Sequence, residues 1–340
     1  MEMKMMNTES PKISVVMATY NSERTLEASL RSLREQTFPQ ENIELIIADG
    51  GSQDRTKEIV QKFSGRVLDV PKDKQGAEYN KGYGLQYATG DFILCIDHDN
   101  ILPHPQWLEK MLQPLLENPD IVAVEPLRYH YDKKLSLLDR YFALFGVNDP
   151  LPYYLGKADR ADYIHDGYTL MGISEDKGEY YQVTFDKNHP RRIPTLGANG
   201  FLIRRTFFEK SKHAPDRYFH IDINVDLVGL GFTKYAFIKD DIIHLTNSRF
   251  FNFLSRRKKF MDQYYLHNFS LRRYSVYFPE DDTLQLIKYI FYTVTLIKPL
   301  ADSIRGWLRV QDVAWFVHPF MCWAMLYIYG TTTIRGFFKR

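Results

Sequence analysis

The chain has 340 residues, of which 44% are hydrophobic and 25% charged, enough for a large core in one or two domains. Its two cysteines, Cys95 and Cys322, sit in apolar runs, which reads as reduced packing and excludes a disulfide framework. The net charge is only +2 but is unevenly placed. Residues 249–340 carry 14 Lys and Arg against 6 Asp and Glu, and the first 248 residues carry 30 against 36. A basic tail dense in aromatics predicts an anionic partner, either nucleic acid or a lipid surface.

Residues 1–10 form an N-terminal tail without the apolar stretch of a secretory signal, so a cytoplasmic location is expected. Ile13 to Ala18 is a short β-rich apolar run that breaks at Thr19-Tyr20-Asn21. Ser22 then offers an N-cap, with Leu26, Leu30 and Leu33 at helical spacing behind it. Ile43 to Ala48 repeats the pattern and ends in Asp49-Gly50-Gly51-Ser52. A weaker strand at Val67 to Val70 and a glycine-punctuated loop, Gly76 to Gly84, follow. Alternating strands and helices of this length predict an α/β fold with a mostly parallel, Rossmann-like sheet and right-handed crossovers. The polar turns should then share the carboxyl edge of the sheet, where ligands bind in open α/β folds.

The fourth run, Phe92 to Ile96, is apolar throughout and ends in two carboxylates, Asp97 and Asp99. Two hard oxygen donors there suit Mg²⁺ or Mn²⁺, which commonly take one or two carboxylates plus substrate phosphates. An acidic turn capping the next helix explains one such pair taken alone. It does not explain three polar turns at the same topological position. No Gly-x-Gly-x-x-Gly follows the first strand and no Walker-type Gly-Lys-Ser/Thr occurs, which argues against dinucleotide and P-loop folds.

The ordered motifs Val-Val-Met-Ala-Thr19-Tyr-Asn21, Ala48-Asp49-Gly-Gly-Ser-Gln-Asp-Arg-Thr56, Asn80-Lys-Gly82 and Asp97-His-Asp99 resemble those of the family 2 glycosyltransferases, over about residues 11–245. The resemblance implies a GT-A fold and a nucleotide-diphosphate sugar, UDP-linked first, as donor. It implies that Thr19 and Asn21 line the nucleotide pocket, that Asp49 contacts the base, and that Asn80 belongs to the donor site. Asp97 would lie near the ribose and diphosphate, and Asp99 would ligate the metal with Asp97. Many relatives have Arg where Tyr79 precedes Asn80, so a diphosphate contact would come from Lys74 or Lys81.

Residues 126–248 form the acceptor half of a catalytic domain spanning 11–248, with residues 11–125 as the nucleotide-sugar half. Within it, residues 130–193 are irregular and rich in Tyr, Asp and Gly, which predicts a functional loop or lid. Gly197-Ala-Asn-Gly200 gives a turn before a strand, and in the resembled family such a turn lies beneath the sugar, making Asn199 and Arg204 candidates. The resembled family carries the acid that acts as general base nine to eleven residues before a Gly-Phe or Gly-Tyr pair, here Gly231-Phe232, and Asp222 falls in that window while Asp226, four residues further on, would serve only in another register. Asp222 fits best and Asp226 is the reserve. His244 sits where relatives place a further metal or diphosphate contact, against the plainer reading of a structural histidine.

The last region, 249–340, mixes Arg256, Arg257, Lys258, Lys259, Arg272 and Arg273 with aromatics that include Phe260, Tyr264, Tyr265 and Phe269. Two apolar helices are expected after it. A polar stripe of Gln285, Lys288, Tyr292 and Thr295 favours lying in a lipid interface over spanning it. Val313 to Tyr329 is at the lower limit for a span. A monotopic or peripheral helical region on the anionic inner face of the cell membrane is therefore expected. A bundle packed on the catalytic domain, or a homo-oligomer interface, is the competing reading. Nucleic acid is set aside because no recognised module accompanies the charge. The reading as a whole is a metal-dependent inverting glycosyltransferase with a lipid-linked acceptor, a polyprenyl phosphate or polyprenyl-diphosphate glycan. A soluble enzyme decorating a polysaccharide and a non-catalytic scaffold of the same fold are the alternatives.

Overall fold

The computed structural model describes residues 11–246, 248–262 and 272–339. Strands β1 (Ile13–Thr19), β2 (Ile43–Asp49), β3 (Arg66–Asp69) and β4 (Phe92–Cys95) form the parallel half of one sheet, in the order β3-β2-β1-β4. Helices α1 (Leu26–Arg34), α2 (Thr56–Lys62) and α3 (Ala77–Leu85) follow the first three strands. The period of two along β1 divides the core between the two faces. Val15 and Met17 pack with Leu26, Leu30 and Leu33 of α1, while Val16 packs with Ile46 and Leu85 on the side of α3. Each leucine of α1 is essentially fully buried, a gain of about 1.5–3 kcal/mol apiece. The helix starts at Leu26 rather than just after Ser22, because the Ser22 carbonyl accepts from the N–H groups of Thr25 and Leu26 in a preceding turn.

Strand β5 (Asn100–Ile101), helix α4 (Trp107–Glu117) and strand β6 (Ala123–Tyr129) come next. The insertion that follows holds helices α5 (Leu137–Phe145) and α6 (Pro150–Tyr154) and the hairpin of β7 (Ile173–Asp176) and β8 (Tyr180–Thr184). Strand β9 (Phe201–Arg204), helices α7 (Arg205–Phe208) and α8 (His220–Gly229), and strand β10 (Lys234–His244) complete this part. The sheet continues from β4 as β9-β6-β10-β8-β7, with β5 on the end of β10. The sheet is mixed: the first four strands are parallel, as are β6 and β10. β9 pairs antiparallel with both β4 and β6, and β8 antiparallel with β10. The reason is local: β9 leaves the turn at 197–200 with Phe201 beside Cys95 at the carboxyl end of β4, so it can only run back along the sheet.

The C-terminal helices are α9 (Phe250–Met261), α10 (Pro279–Thr295), α11 (Ile297–Arg309) and α12 (His318–Lys339). Tyr264, Tyr265 and Phe269 lie outside the described residues. The insertion at 130–193 does more than a loop or lid would: its helix α5 seats this region. Tyr141, Phe142 and Phe145 form a core with Phe253, Trp315, Met321 and Met325. Phe145 stacks on His318 at 3.9 Å and meets Trp315 edge-on at 4.8 Å. A buried ion pair, Lys157 to Asp282 at 2.5 Å, fixes the start of α10. The outer faces are unusual: Ile287, Phe291 and Val294 of α10, Ile304 and Leu308 of α11, and Phe320 and Trp323 of α12 are all exposed. Asp302, Ser303 and Thr293 of the same helices are buried. Residues 313–336 are long and apolar enough to cross a membrane, but 44% of the most apolar window is buried against the rest of the protein.

Candidate active site

The carboxyl ends of β1 and β4 open onto a cavity of about 770 Å³. Its floor follows from the turns. Asp49, at the end of β2, is fully buried; its Oδ1 accepts from the hydroxyls of Thr19 (2.9 Å) and Ser52 (2.5 Å), and its Oδ2 from the N–H groups of Gly51 and Ser52. One carboxylate thereby ties the end of β1 to the loop after β2. A nucleobase contact by Asp49 would share an oxygen already bonded in this way. Asn21 joins the same two loops: its Oδ1 accepts from Gln53 N–H and its own N–H donates to Ser52 Oγ, both at 2.8 Å. Thr19 lines the cavity together with Tyr20 and Gly50, whereas Asn21 acts behind it.

Asn80 and Lys81 project from α3, both almost fully buried and both lining the cavity. Asn80 Oδ1 accepts from Gly76 N–H at 3.0 Å, which fixes the start of the helix. Lys81 Nζ lies 2.7 Å from Asp97 Oδ1. Burial works against its charge, but Asp97 and Glu78 outweigh that and raise it above the ordinary lysine value. Lys74, the other cation considered for a diphosphate, instead pairs with Asp216 on the surface.

Asp97, His98 and Asp99 all line the cavity. Asp97 N–H donates to Asn100 Oδ1 at 2.8 Å, a turn that aims its side chain inward. Asp99 Oδ2 is 3.6 Å from His244 Nε2, brought there because β10 pairs with β5 at His244 and Asn100. Burial opposes charge on both groups, yet their pairing wins: the Asp99 carboxyl is held at about 2 and the His244 imidazole is raised. Asn100 Nδ2 donates to Asn199 Oδ1 at 3.1 Å, and Asn199 Nδ2 to the Tyr129 hydroxyl at 3.1 Å. Asn199, with φ of 55°, sits in the left-handed region that Asn tolerates better than most residues.

Asp49, like Asn21, supports the cavity wall from behind without lining it, and three further residues expected at the site are elsewhere. Arg204 pairs with Phe92, the first residue of β4, at the far end of the sheet, where it donates to the Leu115 carbonyl and covers the Phe92 ring. Asp226 accepts from Lys212 N–H at 3.0 Å and pairs with Arg273 at 2.9 Å, outside the cavity. Asp222 is fully buried. Its two oxygens accept from Arg272 Nε and Nη2 and from the N–H groups of Arg273 and Tyr274. With those positions filled, it anchors the chain at 272–274 instead of facing an acceptor.

Several lining residues escaped sequence reasoning. His220 is the first residue of α8 and falls at the eleven-residue limit before Gly231, a spacing cue that Asp222 overshadowed. Glu78, one turn before Lys81, is its partner at 2.9 Å. Asp159 and Asp149 come from the insertion, and Arg257 and Arg272 from the C-terminal region. No local periodicity marks any of these four.

A mixed sheet with Asp97 and Asp99 following β4, and β9 returning antiparallel beside that strand, is the arrangement of the GT-A fold. The model of the family described as "Glycosyl transferase family 2" matches residues 14–210, and the chain belongs to that family. EpsH of Bacillus subtilis, named as a glycosyltransferase, is 26% identical over 269 residues, covering 75% of this chain and 74% of that protein. The GalNAc(5)-diNAcBac-PP-undecaprenol beta-1,3-glucosyltransferase of Campylobacter jejuni is 36% identical over 97 residues, 27% of this chain and 31% of that one. Among solved structures, the mannosyltransferase PcManGT from Pyrobaculum calidifontis, in complex with GDP-Man and Mn²⁺, aligns with a TM-score of 0.52 at 14% identity. That alignment covers 98% of this chain and 89% of PcManGT, and it supports the fold.

Proposed function

We propose that this chain is an inverting, metal-dependent glycosyltransferase that moves a sugar from a nucleotide-diphosphate sugar to a lipid-linked acceptor. The observation that carries the reading is the convergence of Lys81, Asp97, Asp99 and His244 on one cavity, whose volume falls in the range of about 300–1,000 Å³ typical of small-molecule sites. Asp97, Asp99 and His244 offer two hard carboxylates and an imidazole, a donor set that suits Mn²⁺ or Mg²⁺. Among the described residues no three such groups are arranged to hold a metal alone, so diphosphate oxygens would complete the coordination, as hard divalent ions commonly allow. The chemistry such an ion supplies is neutralisation of the charge on the departing diphosphate. Lys81 adds a fixed positive charge beside the same oxygens. Thr19, Tyr20 and Gly50 form the wall available to the nucleoside. The GDP-Man and Mn²⁺ bound by PcManGT support a nucleotide-sugar donor, and a UDP-sugar is the first to test.

The test is a melting curve with UDP, GDP and dTDP, each with and without Mn²⁺. A nucleotide at 100 times its Kd stabilises by about 2.7 kcal/mol. One of the three is expected to raise the melting temperature only with Mn²⁺, and Asp99→Ala to abolish the rise. If no nucleoside diphosphate shifts the wild-type curve, the donor-site reading falls.

The acceptor reading rests on the exposed apolar faces of α10, α11 and α12. Thr293, Asp302 and Ser303 are buried while Ile287, Phe291, Val294, Ile304, Leu308, Phe320 and Trp323 are exposed, and an exposed apolar face suits helices lying in a lipid interface. Lys288 and Arg305 are exposed on the same helices and favour anionic head groups. The name of the Campylobacter relative, which acts on an undecaprenol-linked glycan, supports a lipid-linked acceptor, and the location follows as the inner face of the cell membrane. Removing the whole C-terminal region would strip the core around Trp315, so surface substitutions make the cleaner test. Full-length protein is expected to float with vesicles containing phosphatidylglycerol, and Phe291→Asp combined with Leu308→Asp to leave it at the bottom of the gradient. A wild-type chain that does not float would favour the homo-oligomer reading of the same faces.

A further inference from the structure

The cavity holds a second titratable pair, apart from the carboxylates after β4. α8 begins at His220, which lines the cavity. Its Nδ1 lies 2.9 Å from Glu78 Oε1, and its backbone N–H donates to Oε2 of the same carboxylate at 3.2 Å. Glu78 is nearly buried. Burial works against its charge, but His220 and Lys81 outweigh this and hold the carboxyl at about 2. An ionised carboxylate only accepts hydrogen bonds, so Nδ1 carries the imidazole proton and the lone pair of the neutral ring is on Nε2. Among the described residues no hydrogen bond reaches Nε2, and the side chain retains 18% exposure. Glu78 and Lys81 stand three residues apart on α3, and Lys81 holds Asp97. The pair therefore shares a wall with the acidic residues instead of lying in a separate pocket.

The start of α8 is held firmly. Gly197, at φ of +108°, lies so close that a Cβ there would run into the His220 carbonyl oxygen. The His220 carbonyl also accepts from Asn224 Nδ2 at 3.0 Å, and the ring stacks on Phe219, which lies under the Arg272 guanidinium. Of the other acids near the cavity, Asp222 has its oxygens filled. Asp159, raised by burial, accepts from the Tyr129 hydroxyl and is the rival base.

We propose that His220 is the general base of transfer, positioned by Glu78, and that the acceptor is a hydroxyl. This rests on the transferase reading above and narrows its acceptor, because an ionised phosphate acceptor has no proton to remove. The acceptor oxygen bonds to the anomeric carbon as its proton passes to Nε2. The bond from that carbon to the diphosphate oxygen breaks, and its electron pair leaves with the nucleoside diphosphate. Glu78 stabilises the imidazolium that results.

The test follows nucleoside diphosphate release by the full-length protein with Mn²⁺ and UDP-, GDP- and dTDP-sugars, using water, octyl glycosides and a polyprenyl phosphate as acceptors. His220→Gln is expected to lower turnover by about 10²–10⁴-fold, the usual contribution of a positioned base, with the Mn²⁺-dependent melting shift by nucleoside diphosphate kept. His220→Asp, which restores a base, is expected to recover part of the rate. Glu78→Gln is expected to lower kcat by about 10–100-fold with the donor KM unchanged. Asp159→Asn should fall far less than His220→Gln. The proposal is overturned if His220→Gln keeps its turnover, or if it loses the melting shift along with turnover, which marks a structural role. It is also overturned if the wild type turns over only with a polyprenyl phosphate, an outcome that leaves the transferase reading intact. A wild type that neither binds nor turns over any donor removes both.

Discussion

Asp222→Ala is expected to cost the fold about 3–5 kcal/mol, the usual penalty for removing one partner of a buried ion pair. Asp222 is fully buried, and its carboxylate takes three contacts from Arg272 together with the N–H groups of Arg273 and Tyr274. Without it, Arg272, its side chain only 11% exposed, loses its counter-charge, and two backbone donors, one of them buried, lose their acceptor. Asp222→Asn keeps the shape and one acceptor oxygen, so it should cost less. The measurement is urea unfolding of both variants beside the wild type. A catalytic acid free to meet an acceptor would behave in the opposite way, with turnover lost and stability unchanged. Unaltered unfolding of Asp222→Ala would return Asp222 to consideration as the base.

That contrast marks where sequence reasoning succeeds and where it stops. The parallel strands were legible because burial on both faces leaves near-continuous apolar runs, and Thr19, Asp49 and Asp97 follow as the polar stops of those runs. His220 and Asp222 were harder to separate. They lie two residues apart in the first turn of α8, so about 200° of helical rotation divides them, and only the helix's placement decides which side faces the cavity. Arg204 follows from strand direction: a turn-strand pattern does not say that β9 runs away from the site, so its last residue was expected at the wrong end. The C-terminal helices were legible as apolar segments. That Trp315 and Met321 would fill a core with Tyr141 and Phe145 depends on pairing across more than 160 positions of sequence, which no local period encodes.

The same dependence on distant partners governs the second large effect, at Arg160. Its guanidinium and the Glu125 carboxylate are both at most 2% exposed and form a direct ion pair. Together they clamp the turn that carries Asn199. Arg160 Nη2 donates to the carbonyls of Ala198 (3.1 Å) and Asn199 (2.9 Å), while Glu125 Oε1 accepts from Gly197 N–H at 2.7 Å. Burial pushes the Glu125 carboxyl up to about 7 even with Arg160 working against it. Arg160→Met is therefore expected to destabilise the protein by about 3–5 kcal/mol at pH 8. The loss should be smaller at pH 6. A carboxyl whose folded pKa exceeds its unfolded value binds a proton that the unfolded chain has released, so stability declines as pH climbs between the two values, by up to about 1.4 kcal/mol per unit. Losing Arg160 raises the folded value further and extends that decline above pH 7. Adding Glu125→Gln removes the titrating group, so the double variant should be more stable than Arg160→Met at pH 8 and should lose the steep part of its pH dependence. Denaturant midpoints for the wild type, Arg160→Met and the double variant at pH 6 and pH 8 measure both effects. A penalty for Arg160→Met that is the same at both pH values, or that Glu125→Gln makes worse at pH 8, would mean that the guanidinium acts through the turn carbonyls alone.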